Sequence, residues 1–513
     1  MEQKRRIQMY REFISPAEEK KLEIFKLVCN TNGITLLKLS KLLQIPLKSL
    51  QKHIYFLNED LRHLSVDLAL TKNSYNQYFI EVNNEDTPCY SQLIYHYLLS
   101  SPQYQLVQYL IGHTDSSMAK LCRDLHVSQS HMYRLMKKVN QILKTFHLSV
   151  ITNEENTIEL SGKELDIRIF IYSFLTQSAP ADLSLLPNST SAEAEKFNDF
   201  FDFARLDQLT KNKLFAFWKT IMIRTSQKKY LPEIPKKYQA LLNFYTFLPK
   251  DVLEIFPITL KIINEEIVQA EYLYLNFFLQ IFLPAVVDSE KNLAITDSFH
   301  RSKKSLVLFF AGMIRDWQQT FIPLMEEEDF DQLLNSCLLF FNLSILIDVD
   351  LLEVWNLEYN LLADDTLYHD DRTYTAIANL LTEHAMQYPY DDFDKTFFVE
   401  KQLSYLTQLL YLETRMHQTP KIKIYVRTTI QYRTKKMIET RIRAIYSESS
   451  VSFTQDIEES DLIITDSYEE VAVTEKLLLL SSILNSLEWE ALFAKINQTL
   501  MKKMFALKHG LSS

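Results

Sequence analysis

SSMAKLCRDLHVSQSHMYRLMKKVNQIL, residues 116–143, carries two runs of apolar side chains at helical spacing with a short break between them. Met118, Leu121, Cys122 and Leu125 share one face of a first helix, and Met132, Leu135, Met136 and Val139 share one face of a second. In the break His126 makes the turn, Val127 is an apolar plug, and Ser128 offers an oxygen to the free N–H groups at the start of the second helix. The small Cys122 stands where the first helix must let the second come close. The spacing predicts a helix-turn-helix. Its second helix turns Ser128, Gln129, Ser130, His131, Tyr133, Arg134, Lys137 and Lys138 outward. Over residues 116–147 six basic residues (Lys120, Arg123, Arg134, Lys137, Lys138, Lys144) stand against one acid, Asp124. Such a face suits a phosphate backbone, since counterion release depends on the contacting surface and not on whole-chain charge. The alternative reading is a solvated helix surface.

The same order of parts occurs 82 residues earlier. Leu39, Ser40, Leu43, Gln44, Ile45 and Pro46 occupy the places of the first helix and turn, followed by Leu50, Ile54 and Leu57, with Pro46 opening the second helix. Each second helix leads into alternating apolar residues around a polar turn. Val66, Leu68 and Leu70 pair with Tyr78, Ile80 and Val82 across Lys72 to Ser74; Leu148 and Val150 pair with Ile158 and Leu160 across Asn153 to Asn156. Period-two alternation across a polar turn predicts a hairpin, so residues 20–165 are expected to hold two winged helices.

Composition narrows the function classes. The five glycines, Gly33, Gly112, Gly162, Gly312 and Gly510, lie too far apart for a GxGxxG or Walker-type loop, which excludes a conventional nucleotide-binding enzyme. Four cysteines without a CxxC pair argue for a reducing compartment, the cytoplasm, and against a zinc or disulfide framework. The N-terminus lacks the apolar run of a secretory signal, and the two most apolar segments, Leu273 to Val287 and Leu333 to Ile347, are shorter than a membrane span and hold Asn and Gln. They are expected to be buried helices. No HExxH, GxSxG or regular metal-ligand spacing is present, so neither an enzyme nor a cofactor or metal site is expected. The formal charge of −10 is unevenly placed: Lys and Arg lead Asp and Glu by 20 to 17 over residues 1–165, trail by 22 to 36 over 166–420, and lead by 13 to 12 over 421–513.

Residues 166–420 show amphipathic helices rich in Leu, Phe and Tyr. Breaks within Ser178 to Ser191 and near Asp288 to Thr296 suggest two bundles. After residue 420 strands alternate with helices: Lys421 to Val426, a helix to Tyr446, Val451 to Phe453, Asp461 to Thr465, Lys476 to Leu480 and a last helix from Leu487 to Phe505, the pattern of a small, mostly parallel sheet.

The helix-turn-helix at 116–143, the segment IELSGKELDIRIFIYSFL at 158–175 with Gly162, Glu164, Ile167 and Arg168, and the order of the parts together resemble the Mga/AtxA family of Gram-positive transcription regulators. The resemblance implies a mostly α, multidomain chain. It has winged helix-turn-helix domains at 1–85 and 86–165, two PRD-like helical bundles at 166–288 and 289–420, and a small α/β domain similar to the EIIB component of sugar phosphotransferase systems at 421–513. It further implies a cytoplasmic, virulence-type regulator that binds double-stranded DNA, forms homo-oligomers through its C-terminal domain and answers to phosphotransferase proteins. The second motif is then the principal DNA reader, with Gln129, His131 and Arg134 near base edges and Ser130, Tyr133, Lys137 and Lys138 on phosphate. The first offers Lys48, Ser49, Gln51, Lys52 and His53.

Histidines accept phosphate in such bundles. None occurs between His147 and His300, so the first bundle cannot serve; His300, beside Arg301, Lys303 and Lys304, and His369, in YHDDR, are the candidates in the second. No cysteine follows Cys337, and Arg427 to Ile430 occupy the loop where an EIIB component carries its phosphocysteine, which excludes that chemistry. A PRD-type RNA-binding antiterminator and a non-catalytic helical scaffold are the alternatives.

Overall fold

The computed structural model describes residues 9–29, 31, 33–64, 68–82, 90–113, 116–154, 156–178, 201, 205–255, 264–287, 289–302, 304–346, 372–387, 398–417, 421–428, 432–448, 450–465, 476–480 and 486–506, and these are mostly helical. They fall into two compact units, residues 1–302 with 338–361, and residues 303–337 with 362–513.

The first unit opens with two copies of one arrangement. In the first, α1 (Pro16–Cys29) is followed by β1 (Ile34–Thr35), α2 (Leu36–Leu43), α3 (Leu47–Leu64), β2 (Leu68–Lys72) and β3 (Gln77–Val82). The second has α4 (Tyr90–Leu99), α5 (Pro102–Gly112), β4 (Ser116–Ser117), α6 (Met118–Asp124), α7 (Gln129–Leu143), β5 (Ser149–Thr152) and β6 (Thr157–Ser161). Each sheet is antiparallel, in the order β1-β3-β2 and β4-β6-β5, with Ile34 opposite Tyr78 and Ser116 opposite Ile158. The two-residue strands β1 and β4 are too short to show a period, which is why alternation gave only the hairpins. Val66 lies outside the described residues.

The copies share chemistry as well as order. Thr35 and Ser117 cap their helices, Oγ accepting from Lys38 N and Lys120 N, each at 3.3 Å. Gln44 and His126 both take a left-handed backbone at the turn, with φ of 54° and 53°. Behind each second helix an asparagine clamps the hairpin. Asn58 Oδ1 accepts from Leu70 N at 2.7 Å while its Nδ2 donates to Leu70 O at 3.1 Å, and Asn140 treats Val150 in the same way, at 2.6 and 3.2 Å. Among the described residues β5 has a strand neighbour on one side only, so Asn140 satisfies the groups that the sheet leaves open. Asn140→Ala is therefore expected to destabilise this copy by about 2–3 kcal/mol, two hydrogen bonds and a stranded N–H, seen as faster amide exchange across β5.

Contacts across the copies come from Asp60 on α3, which accepts from Tyr97 Oη of α4 at 2.6 Å and also pairs with Lys21 Nζ of α1. Phe13, just ahead of α1, sets its ring edge-on against Tyr104 of α5 and Phe174 of α8 (Glu164–Ser178). Gly162, between β6 and α8, leaves room for Leu148: a Cβ there would lie 2.3 Å from Leu148 Cδ2.

Helix α8 then packs on α9 (Gln208–Ser226), followed by α10 (Lys236–Leu242), α11 (Glu265–Phe282) and α12 (Ser289–Arg301). Every residue of α11 from 270 to 281 is buried, and Asn276 Oδ1 accepts from Phe247 N and Leu248 N at 2.9 and 2.8 Å. The apolar run was expected to be helical to Val287; the helix ends at Phe282, because Pro284 cannot donate to the next turn. Within the break expected at 178–191, all but residue 178 lies outside the described residues.

In the second unit α13 (Ser305–Phe321) meets α15 (Arg372–Gln387) and α16 (Leu403–His417), with α14 (Glu327–Leu346) beginning between α13 and α15 in sequence. Trp317 Nε1 donates to Thr414 Oγ1 at 3.2 Å, and Tyr374 meets Tyr411 edge-on. The C-terminal strands β7 (Ile422–Arg427), β8 (Val451–Thr454), β9 (Leu462–Thr465) and β10 (Leu477–Leu479) form a wholly parallel sheet in the order β10-β9-β7-β8. Its core joins Ile422, Ile424 and Val426 to Ile438 and Ile442 of α17 (Tyr432–Arg443) and to Trp489, Leu492 and Ile496 of α18 (Ser486–Ala506).

Candidate nucleic-acid interface

Helix α7 divides cleanly into two sides. Met132, Leu135, Met136, Val139 and Leu143 are buried, and the opposite stripe of Gln129, Ser130, Tyr133, Arg134, Lys137 and Lys138 is exposed, Tyr133 at 56%. Ser128 Oγ accepts from His131 N at 3.3 Å, so its oxygen caps the helix, and the His131 ring is half-buried. Arg134 Nε donates back to Ser130 O at 3.4 Å, and its two terminal nitrogens make no hydrogen bond to the described residues. Among the described residues none of Lys120, Arg134, Lys137, Lys138 and Lys144 has a carboxylate partner, whereas Asp124 accepts from Tyr109 Oη at 2.7 Å and pairs with Arg123. The cations on α7 therefore keep their full charge for an outside anion. Fifteen residues make a rod of about 22 Å, ample for the major groove of duplex DNA.

Residues 89–175 match the family model of the Mga helix-turn-helix domain. The matched residues run from the start of α4 into α8 and contain α6 and α7 whole. The Mga match supports a DNA-binding transcription regulator and is consistent with a Mga-like one. A search of curated proteins found no match to the chain.

The first motif lies ahead of the Mga segment and presents a different surface. Lys48, Gln51 and Lys52 are exposed, and Ser49 and His53 are half-buried. Burial lowers the His53 pKa, and the charges of Lys20, Lys21 and Lys52 lower it further, so this ring adds no charge near neutral pH. Tyr55 and Phe56 beside it are 60% and 45% exposed, with Lys52 Nζ 5.9 Å from the Phe56 ring.

His300 is exposed near the end of α12, where Arg301 pairs with Asp297 at 3.4 Å. Burial lowers the pKa of Lys304; Lys303 and His369 lie outside the described residues. Of the loop expected at 427–430, Arg427 is the last residue of β7, paired with Thr465 of β9, Thr428 is the described loop residue, and 429–430 lie outside the described residues. Sequence reasoning passed over His384, whose Nδ1 sits 2.8 Å from Asp316 Oδ2 and whose Nε2 sits 3.2 Å from Phe309 O. Its partners are 68 and 75 positions away, beyond any periodic signal. Among the described residues no group of His, Cys, Asp or Glu could hold a metal ion, and no helix is long and apolar enough to cross a membrane.

Proposed function

We propose that this chain is a non-enzymatic, cytoplasmic transcription regulator of the Mga type that binds double-stranded DNA through tandem winged helices, with α7 in the major groove. The observation that carries the reading is the exposed row of Arg134, Lys137 and Lys138, which has no carboxylate partner among the described residues and backs onto the buried Met132, Leu135, Met136 and Val139. Gln129, His131 and Arg134 lie toward the N-terminal part of the helix and meet base edges, while Ser130, Tyr133, Lys137 and Lys138 meet phosphate. Ser128 then acts by holding the helix start. The first motif, with Lys48, Ser49, Gln51, Lys52 and His53, adds an auxiliary contact.

The domain reading is two winged helices at 1–85 and 86–165, PRD-like bundles at 166–288 and 289–420, and an EIIB-like module at 421–513 through which two copies pair. A parallel four-stranded sheet with its own core supports the last assignment. Control by phosphotransferase proteins, with His300 and His369 as phosphoacceptors, belongs to the same reading and is supported by the exposure of His300.

The test is a mobility-shift comparison of the full chain on duplex DNA and on single- and double-stranded RNA of equal length. Duplex DNA is expected to bind more tightly at every salt concentration, with affinity falling steeply as salt rises. Preference for single-stranded RNA selects the antiterminator reading, and no binding to either selects the scaffold.

A further inference from the structure

The two copies differ on the helix that each turns outward. An offset of 82 residues lays α3 on α7, and the shared clamp by Asn58 and Asn140 fixes that register. At the positions where α7 exposes Gln129, Lys137 and Lys138, α3 exposes Leu47, Tyr55 and Phe56. These three share one stripe with the exposed Lys48, Gln51 and Lys52, all six falling at i, i+1, i+4, i+5, i+8 and i+9 of the helix. Tyr55 and Phe56 meet edge-on at 5.5 Å. Sixteen large hydrophobic side chains are exposed among the described residues, and five of them, Leu37, Leu42, Leu47, Tyr55 and Phe56, fall within residues 37–56. Such a cluster marks an interaction surface, whereas apolar residues exposed singly need no explanation.

The surface is also basic. From Ile24 to Asn58 the chain holds no Asp or Glu, and none of Lys38, Lys41, Lys48 and Lys52 has a carboxylate partner among the described residues. Beyond Phe56 the stripe closes on Glu59 and Arg62, paired with each other at 3.5 Å. An occupant must therefore bring apolar anchors and negative charge together. Duplex DNA brings the charge, but its phosphates gain nothing from Leu47 or Phe56, and in the major groove only thymine methyl groups offer apolar contact. A second copy presenting the same stripe brings the anchors but sets lysine against lysine. A lipid surface suits a helix whose whole apolar side is free, and that side of α3, with Leu50, Ile54, Leu57 and Leu61, is in the core. A protein helix with carboxylates between apolar residues supplies both needs.

We infer that the outward stripe of α3 docks an acidic helix of another protein. From Leu47 to Tyr55 the stripe rises about 12 Å, so the partner's apolar anchors stand about two turns apart, with carboxylates between them. The anchors meet Leu47 at one end and the Tyr55 and Phe56 pair at the other, and the carboxylates meet Lys48 and Lys52. The partner takes the lysines of the auxiliary DNA contact, so the two exclude each other, while α7 on the other copy is left to DNA. Docking is measured without nucleic acid, so the inference stands or falls apart from the DNA-binding reading.

The experiment pans the full chain, free of nucleic acid, with a displayed library of helical peptides about 16 residues long. Each peptide has Leu, Phe or Trp at i and i+7 and Glu, Gln or Lys at random between them. Glu-rich members are expected to be enriched and, as free peptides, to bind with a dissociation constant on the order of 10 µM that weakens as salt rises. Leu47→Gln combined with Tyr55→Gln and Phe56→Gln, all at exposed positions, should leave the circular dichroism unchanged and lower that affinity about tenfold or more. Lys48→Gln with Lys52→Gln should lower it about tenfold and flatten its salt dependence. Enrichment of Lys-rich or uncharged members, equal enrichment on the triple variant, or no enrichment overturns the docking site. Two further results also overturn it: phosphatidylglycerol vesicles that retain the parent chain but not the triple variant, which assigns the stripe to lipid, and a loss of duplex-DNA affinity in the triple variant as large as that of Arg134→Ala with Lys137→Ala, which assigns it to DNA.

Discussion

Arg134→Ala combined with Lys137→Ala is expected to weaken duplex-DNA binding of the full chain by about 3 kcal/mol or more, on the order of 100-fold at moderate salt. Both side chains are exposed, and among the described residues neither has a carboxylate partner and the only side-chain hydrogen bond of either is Arg134 Nε to Ser130 O. Removing them costs the fold little, so circular dichroism and melting should match the parent chain. The salt dependence carries a second signature. Each phosphate contact contributes about 0.9 to the slope of log affinity against log salt, and the double variant should lose between one and two such increments. A parallel variant, Lys48→Ala with Lys52→Ala, is expected to lose far less, because the first motif has Tyr55 and Phe56 exposed beside its lysines and a His53 held neutral. Unchanged affinity in the α7 variant, at salt where the parent binds, removes α7 from the interface.

What could be read from the sequence depended on how local the determining contacts are. The helix pairs were legible because burial of Met132, Leu135, Met136 and Val139 repeats at three and four residues, and the outward face follows from the same repeat. The hairpins were legible as alternation, and the turn at His126 was placed by the break between two helical phases, though nothing in a histidine announces a φ of 53°. Asn58 and Asn140 were not singled out: a polar residue on a helix looks the same whether it faces water or clamps a strand ten or twelve positions on. The strands of the C-terminal sheet were recognisable one by one, but the order β10-β9-β7-β8 depends on which strands meet, and that is a tertiary fact. For the interface itself, residue identity was legible and engagement was not. Ser128 caps the helix through His131 N, as its place ahead of the apolar run implied, but the half-burial of the His131 ring is not something that spacing alone reveals.

The longest-range contacts were the least legible and are expected to have the largest effect on stability. Glu164 and Arg168 stand together on α8 and belong to the segment that resembles the exit of a regulator's DNA-binding domain, but their partners are remote. Arg168 grips Glu271, 103 positions on, through two nitrogens at 2.7 and 2.8 Å, and Arg224, 60 positions on from Glu164, reaches that carboxylate at 2.6 Å. Arg168 Nε also donates to Glu164 at 3.0 Å and its Nη2 to Lys229 O at 3.2 Å. Two cations and two anions thus cancel inside the join of α8, α9 and α11. Arg168 is 7% exposed and Glu271 4%, so water cannot replace a missing partner. Deleting one member of such a cluster strands a buried charge and costs about 3–5 kcal/mol, whereas replacing a buried pair with apolar groups is close to neutral. Arg168→Met should therefore loosen the join severely, and Arg168→Met with Glu271→Met should recover most of the loss, leaving Glu164 paired with Arg224. A chain of several domains does not melt in one step, so the measurement is amide exchange in α8 and α11. Exchange there is expected to speed up on the order of 100-fold or more in the single variant and to return toward the parent rate in the double. High salt should leave this effect nearly unchanged while it strips DNA from α7, because screening reaches an exposed cation and not a buried one. Equal damage in the single and double variants would mean that packing, and not charge pairing, holds α8 to the bundle.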